Sequence, residues 1–387
     1  MNVTEVKKGI YEVGAVDWNV RNFHGYSTNR GTSYNAYLII DDKITLIDTV
    51  KEMFAGELIA RISEIIDPAK IDYIISNHVE PDHSGSLAII YDMAPNATIV
   101  TSDPNGLKGL EAHYGKSFKF MPVKNGDIIS IGKRSLSFLL TPMLHWPDSM
   151  VTYCPEEKIL FSNDAFGQHL ASSNKFDDQN DYGIFMHEAK KYYANILMPY
   201  GIQAKKAVSA LRNFDIEMFA TGHGLIVRKY VKELMDMYEY FADSAPEESA
   251  VIVYDSMWQS TETIAKAVLE GFKNKGVKVQ FCDLKNVHIS DIMTDILKAQ
   301  YIAVGSPTLN NNMLPTVAAF LTYMKGLSPN GKKAFAFGSY GWGGQSVDQI
   351  NDILSKCKFD IILDPIKVLY RPTKEKLKEI EKLVENI

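Results

Sequence analysis

Four side chains able to bind a cation crowd into the six residues from His78 to His83: His78, Glu80, Asp82 and His83. Two carboxylates held this close repel unless a cation lies between them, and a metal ion is the commonest such cation. The cluster follows the apolar run 73–75 and precedes the helix-like stretch 87–90, which puts it on a loop at a strand's end. Alternate residues of a strand share a face, so His78, Glu80 and Asp82 are expected to aim the same way, with Pro81 and Gly85 setting the turn. A polar loop that merely caps a helix, with Asp82 or Ser84 as N-cap, is the plainer alternative. Recurrence decides between them. His145 ends the stretch 139–145, Asp164 the stretch 159–164 and His223 the stretch 219–223, each of which opens on apolar residues. A chain that repeats strand and then ligand must gather several strand ends in one place, and that demand narrows the fold more than composition does.

The 387 residues suggest two domains, and 46% hydrophobic residues suffice for two cores. The 41 basic and 47 acidic residues leave a formal charge of -6 with no Lys/Arg tract. That balance argues against nucleic acid or an anionic membrane as partner. Residues 1–8 lack an apolar core of a leader, and no run of about 18 apolar residues occurs, so a cytoplasmic protein is expected. Cys154, Cys282 and Cys357 are too few and too scattered to indicate a disulfide framework or a cysteine metal knuckle, which argues against iron-sulfur or rubredoxin-type iron within this chain.

Residues 34–40 and 44–48 read as a hairpin about Asp41-Asp42, followed by a helix near 53–66. Strands and helices then alternate to about 116, a strand-rich stretch runs to 162, and 184–245 is mostly helical around the His223 loop. Composition shifts near 245–249, where a βαβ series begins, and the boundary is expected there, with domains 1–247 and 248–387. The buried-strand run 250–254 leads into Ser256, Met257, Trp258, Gln259, Ser260 and Thr261 and then a helical stretch. Hydroxyls of Ser256, Ser260 and Thr261, with backbone N–H groups at a helix start, suit a phosphate monoester without Lys or Arg. An ordinary Ser/Thr-rich N-cap is the alternative. No Gly-x-Gly-x-x-Gly or Walker lysine is present, so a dinucleotide or ATP is not favoured. Two later strand ends carry Ser306, Pro307, Thr308, Leu309, Asn310 and Asn311, and Ser339, Tyr340, Gly341, Trp342, Gly343 and Gly344. Loops after parallel strands meet at the sheet edge where ligands bind, and Trp258, Tyr340 and Trp342 suit the faces of a planar ring.

The ordered ligands of residues 1–245 resemble the metallo-β-lactamase fold, which implies an αββα sandwich. Glu80 stands where that fold usually carries His. A carboxylate for an imidazole makes the site harder and moves preference from zinc toward iron or manganese. Three carboxylates against two divalent ions leave room for one bridging hydroxide. From 250 to 387 the chain resembles flavodoxin, which implies a doubly wound, parallel five-stranded sheet of order 2-1-3-4-5 and bound FMN, with helices after Thr261, Pro315, Ser346 and Thr373.

Together the halves resemble the flavodiiron proteins. That resemblance implies an α/β two-domain oxidoreductase reducing dioxygen to water, nitric oxide to nitrous oxide, or both, at a non-haem diiron centre fed by FMN. It assigns His78, Glu80 and His145 to one iron, Asp82, His83 and His223 to the other, and Asp164 to the bridge. It also brings His24 and Tyr192 or Tyr193 near the substrate pocket, and implies a head-to-tail homodimer or a dimer of dimers. His169 reads as a residue orienting a ligand or as a buried, satisfied one; His113, His187 and His288 read as surface residues. No donor domain is appended, so electrons are expected from a separate rubredoxin, reduced deazaflavin or NAD(P)H-linked reductase. A zinc hydrolase with an attached flavodoxin domain is the rival reading; Glu80 argues against it.

Overall fold

The computed structural model describes residues 3–115, 117–243 and 245–387. Residues 1 and 2, the start of the segment read for a leader, and residues 116 and 244 lie outside the described residues. Two compact units form: residues 1–24, 28–192 and 200–240, and residues 25–27, 193–199 and 241–387.

In the first unit a seven-stranded sheet runs Thr4–Lys7, Ile10–Glu12, Tyr37–Ile39, Thr45–Ile47, Tyr73–Ser76, Thr98–Ser102, Phe120–Val123 in spatial order. A five-stranded sheet runs Ile128–Ser130, Ser135–Leu140, Met150–Cys154, Ile159–Asn163, Met218–Thr221. Buried Ile39, Ile47, Ile75, Val100, Phe138 and Phe161 fill the space between them. Helices cover the outer faces. Leu58 and Ile62, one turn apart on the helix Ala55–Ile65, are buried against one sheet, and each such side chain contributes about 1.5–3 kcal/mol by leaving water. On the other side Phe166 stacks on Phe219 with centroids 4.1 Å apart, and Tyr238 of the helix Val231–Ala242 lies 4.5 Å from Phe166. The αββα layering that the resemblance to the metallo-β-lactamase fold implies is present.

Strand direction explains why the ligand loops converge. Tyr73–Ser76 lies between parallel neighbours Thr45–Ile47 and Thr98–Ser102. Ile159–Asn163 and Met218–Thr221 are parallel partners, so the residues after each leave the sheet at the same edge. Ser135–Leu140 is two antiparallel steps from Ile159–Asn163 and therefore runs the same way. The expected hairpin exists as Tyr37–Ile39 paired with Thr45–Ile47, whereas Tyr34 lies in a separate strand, Thr32–Tyr34, paired with Ala15–Asp17. The strand before the ligand cluster ends at Ser76, and Pro81–Ser84 form one helical turn. The alternation expected to align His78, Glu80 and Asp82 is therefore not what aligns them: Pro81, at the first helical position, starts a turn that carries Asp82 and His83 inward.

The second unit has a parallel sheet in the order Lys278–Asp283, Glu247–Tyr254, Ala299–Gly305, Lys333–Tyr340, with Asp360–Ile361 and Ile366–Leu369 both pairing with Lys333–Tyr340. This is the order 2-1-3-4-5 with its last strand in two pieces. Pro365, which has no N–H to give the ladder, lies in the gap. Apolar clusters on both faces, one around Ile292 and Phe320 and one around Ile264 and Phe272, make the unit doubly wound. The helices Ser260–Asn274, Pro315–Leu327, Gln345–Lys356 and Lys374–Glu385 match expectation; Ile289–Ile296 is a fifth that the sequence reading did not assign. Hydrogen bonds explain why 25–27 and 193–199 belong here: Ser27 N–H donates to Ser290 Oγ, Asn195 Nδ2 to Ser290 O, and Tyr323 OH to Asn195 Oδ1. No described helix is long and apolar enough to cross a membrane.

Candidate functional site

At the sheet edge of the first unit all four imidazoles turn Nε2 toward three carboxylates. Glu80 Oε2 lies 3.3 Å from His78 Nε2 and 3.2 Å from His145 Nε2. Asp82 Oδ2 lies 3.2 Å from His223 Nε2. Asp164 stands between the groups, with Oδ1 3.0 Å from His83 Nε2 and 3.3 Å from His223 Nε2, and Oδ2 3.3 Å from His145 Nε2 and 3.5 Å from His78 Nε2. The donors fall into two sets, His78, Glu80, His145 and Asp164, and Asp82, His83 and His223, each compact enough to surround one ion. Every expected ligand is in the cluster, His83 included.

Burial without full pairing is the feature that asks for a cation. Asp82 and Asp164 are buried, yet Asp82 Oδ1 and Asp164 Oδ2 accept no hydrogen bond among the described residues. An unpaired buried carboxylate oxygen is costly, and imidazole Nε2 atoms 3.3–3.6 Å away but off hydrogen-bond geometry leave lone pairs facing one space. The donor set, four imidazole nitrogens and three carboxylates, suits two ions of the iron or manganese class.

Without an ion the charges shift one another. Burial opposes protonation of His145 and His223, but Asp164 with Glu80 raises His145 to about 9, and Asp164 with Asp82 raises His223 to about 10. His78 and His83 are also raised against the pull of burial. Asp82 and Asp164 are lowered despite burial, chiefly by the imidazole of His83.

A surrounding layer holds this geometry. His78 Nδ1 lies 2.9 Å from Asp148 Oδ2, which also accepts the Val79 N–H at 2.7 Å. His223 Nδ1 donates to the Ser33 carbonyl at 2.7 Å. Tyr192 OH donates to Asp164 Oδ1 at 2.9 Å. Asp48 ties two ligand-bearing strand ends together by accepting from Asn77 N, Asn77 Nδ2 and Asn163 Nδ2. Gly222 leaves no room for a side chain, because a Cβ there would stand 2.8 Å from His83 Cε1. Buried His169 bonds Thr32 Oγ1 through Nδ1 at 2.8 Å and sits 5.0 Å from the His223 ring. Burial, aided by His223, keeps its pKa well below the ordinary range, so it is a neutral wall residue. His24 is 78% exposed, with Nε2 3.8 Å from Glu80 Oε1. Tyr193 belongs to the second unit, buried with its ring 5.3 Å from Phe241. His113, His187 and His288 are exposed. Asp148, Asp48 and Ser33 were not singled out by sequence; an acid three residues after His145 was the available sign of the first.

At the edge of the second unit a cleft of about 700 Å³ opens between the three expected loops. Met257, Trp258 and Ser260 line it from the first, Pro307, Thr308, Asn310 and Asn311 from the second, and Ser339, Tyr340, Gly341, Trp342 and Gly343 from the third. Tyr370 and Arg371, after the last strand, line it as well and were not foreseen. Trp258 and Trp342 are 84% and 92% exposed at the rim, an arrangement of free aromatic faces suited to a planar guest. The remaining expected residues do not line the cleft. Thr261 Oγ1 pairs with Ser339 Oγ at 2.9 Å, Ser306 Oγ accepts from Leu314 N and donates to the Pro307 carbonyl, and Leu309 pairs with Asn312 across its turn. Gln259 takes a left-handed conformation before the helix Ser260–Asn274, and Gly344 precedes Gln345–Lys356. Ser256 Oγ is buried and without a hydrogen-bond partner among the described residues, as a hydroxyl awaiting an acceptor would be.

Residues 32–224 match the model of the ODP family beta lactamase, and residues 252–382 match that of flavodoxin. A protein named nitric oxide reductase from Moorella thermoacetica is 46% identical over 93% of this chain and 91% of its own. The solved structure of rubredoxin oxygen:oxidoreductase from Desulfovibrio gigas superposes with a TM-score of 0.96 at 41% identity, covering 99% of this chain and 97% of the other. The crystal structure of the flavodiiron protein from Giardia intestinalis does so with a TM-score of 0.96 at 37% identity, over 100% and 96%. These names are of oxidoreductases and of a diiron flavoprotein, and they displace the zinc hydrolase. With a paired-metal donor set in the first unit and a flavodoxin cleft in the second, this chain belongs to the flavodiiron proteins.

Proposed function

We propose that this oxidoreductase consumes dioxygen, nitric oxide or both, with His78, Glu80 and His145 holding one iron, Asp82, His83 and His223 the other, and Asp164 bridging. The observation that carries the reading is the buried set of seven inward donors with unpaired Asp82 Oδ1 and Asp164 Oδ2. When bound, the iron pair and FMN supply the electrons that take dioxygen to water or two nitric oxide molecules to nitrous oxide and water. The protein's own part is orientation, charge and protons. Asp148 and the Ser33 carbonyl fix the ring planes of His78 and His223 by hydrogen bonds to their outer nitrogens. Tyr192 OH fixes Asp164 Oδ1. Glu80 and His145 keep 12% and 17% exposure while the other five ligands are buried, so small molecules reach the centre on their side. Exposed His24, beside Glu80 Oε1, is placed to pass protons from solvent to that side.

In the second half the loop hydroxyls, the start of the helix Ser260–Asn274 and the rim aromatics would hold the phosphate and ring of FMN. A Ser256→Ala, Ser260→Ala double variant, which removes the unpartnered hydroxyl and the cleft-lining one, is expected to weaken FMN retention at least ~10-fold, the scale of one lost hydrogen bond to a charged group. Flavin fluorescence on dilution measures this; unchanged retention would remove that loop from the site. The functional halves are 1–247 and 248–387. Electrons come from a separate donor of rubredoxin type, as the name of the Desulfovibrio gigas relative suggests. Reduced deazaflavin and an NAD(P)H-linked reductase are the competing donors to assay beside it. A cytoplasmic, head-to-tail homodimer or dimer of dimers completes the reading.

Stopped-flow mixing of the fully reduced protein with each gas tests the activity. Reoxidation of the flavin with nitrous oxide or water as product is expected. Reoxidation that yields only hydrogen peroxide would mean that flavin alone meets the gas, and would overturn the diiron role.

A further inference from the structure

The two sets of inner donors are closely matched: each has two imidazoles, one carboxylate of its own and a share of Asp164. The layers behind them are not. His78 Nδ1 faces the Asp148 carboxylate at 2.9 Å, and Asp148 is buried, held by the Val79 N–H on Oδ2 and by Ser102 Oγ, which donates to its carbonyl at 2.6 Å. The indole of Trp146 meets the His78 ring edge-on at 5.0 Å and 88°, which closes the remaining rotation. Behind His223 stands a neutral acceptor, the Ser33 carbonyl. Behind His83 there is none: its Nδ1 is buried with no hydrogen-bond partner among the described residues.

An anion on the outer N–H makes an imidazole a stronger donor and holds its ring for coordination; a carbonyl does so less, and an unpartnered ring is neither strengthened nor held. We propose that the two metal positions are unequal by construction, with Asp148 a positioning residue that makes the His78 position the tighter one and the His83 position the first to lose its ion. This inference rests on the dinuclear reading above and adds an order of occupancy to it.

The test is an anaerobic titration of the metal-free, FMN-loaded full chain with cobalt(II), followed by absorbance. Wild type is expected to bind two ions with affinities at least ~10-fold apart, and Asp148→Asn, which removes the charge with little change of shape, to weaken the tighter one ~10–100-fold. His223→Ala leaves the first position and His145→Ala the second. Adding Asp148→Asn should lower affinity in the first background and leave the second unchanged. Equal loss in both backgrounds, or none in the first, overturns the proposal. Should Asp148→Asn fail to fold, wild type read against the two single variants decides: one equivalent of cobalt must give the spectrum of the His223→Ala protein, and the spectrum of His145→Ala overturns the claim. A wild-type chain that binds no ion pair defeats the dinuclear reading itself, whereas two equally held ions with rapid gas consumption defeat only this inference.

Discussion

Asp164→Ala is expected to keep one FMN per chain and to lose both metal ions, with dioxygen and nitric oxide consumption falling more than ~100-fold, the upper range for loss of even an outer partner. The reason is the double duty of one buried carboxylate. Its Oδ1 serves His83 and His223 and its Oδ2 faces His145 and His78, so its removal takes a donor from both sets at once. It also leaves imidazoles that rely on it for charge balance and strands the Tyr192 hydroxyl. The flavin cleft is lined wholly by residues of the second unit, so flavin content reports folding independently. Iron analysis with gas-electrode assays checks the result; retained turnover would sink the bridging role.

Stripping the metal should change how stability depends on pH. In the metal-free site His145 and His223 titrate at about 9 and about 10, above the 6.5 of an unfolded chain. Each therefore contributes stability that is fully present below pH 6.5 and is lost as pH rises through 9 to 10. Asp82 and Asp164 are lowered below the ordinary 3.8, so their contribution is present above that value and is lost as pH falls through their folded pKa values. The joint contribution of these four groups in the metal-free protein should be largest between pH 3.8 and 6.5, and their loss should make it weaken toward pH 10 more steeply than the loaded protein. Loading must also expel the protons of His145 and His223, so near pH 7 at least two protons leave per pair of ions bound. Thermal melts with and without a chelator, and calorimetry in buffers of differing ionisation heat, measure both. Proton release near zero at pH 7 would mean that the imidazoles are already neutral.

The ligands were legible because each follows an apolar run, and a strand that ends beside its parallel neighbour delivers its next residues to the same edge. Asp164 and His223 needed no more than that, whereas His145 stands five residues past Ser135–Leu140, whose neighbours are antiparallel, and arrives on the turn that follows. The cluster itself was legible in composition and not in mechanism: Pro81 opens a helical turn, so Asp82 and His83 arrive on a helix where strand alternation had been expected. Asp148 was invisible because its role depends on meeting His78 from 70 residues away, and a backbone acceptor such as the Ser33 carbonyl has no side-chain signature. In the flavodoxin half the loops announced themselves by Gly, Ser and aromatic content. Which hydroxyls face a guest was not announced, since Thr261 and Ser306 spend theirs on Ser339 and on the Leu314 backbone. The helix Ile289–Ile296 passed unassigned because eight residues carry barely two turns of periodicity.

Metal and flavin content of the purified protein tests the central claim most directly, with elemental analysis and absorbance on one sample followed by anaerobic reduction and gas uptake. About two irons and one FMN per chain, with rapid consumption of dioxygen or nitric oxide, is the predicted result. Zinc in place of iron beside a flavin that stays reduced when the gases are added would contradict it.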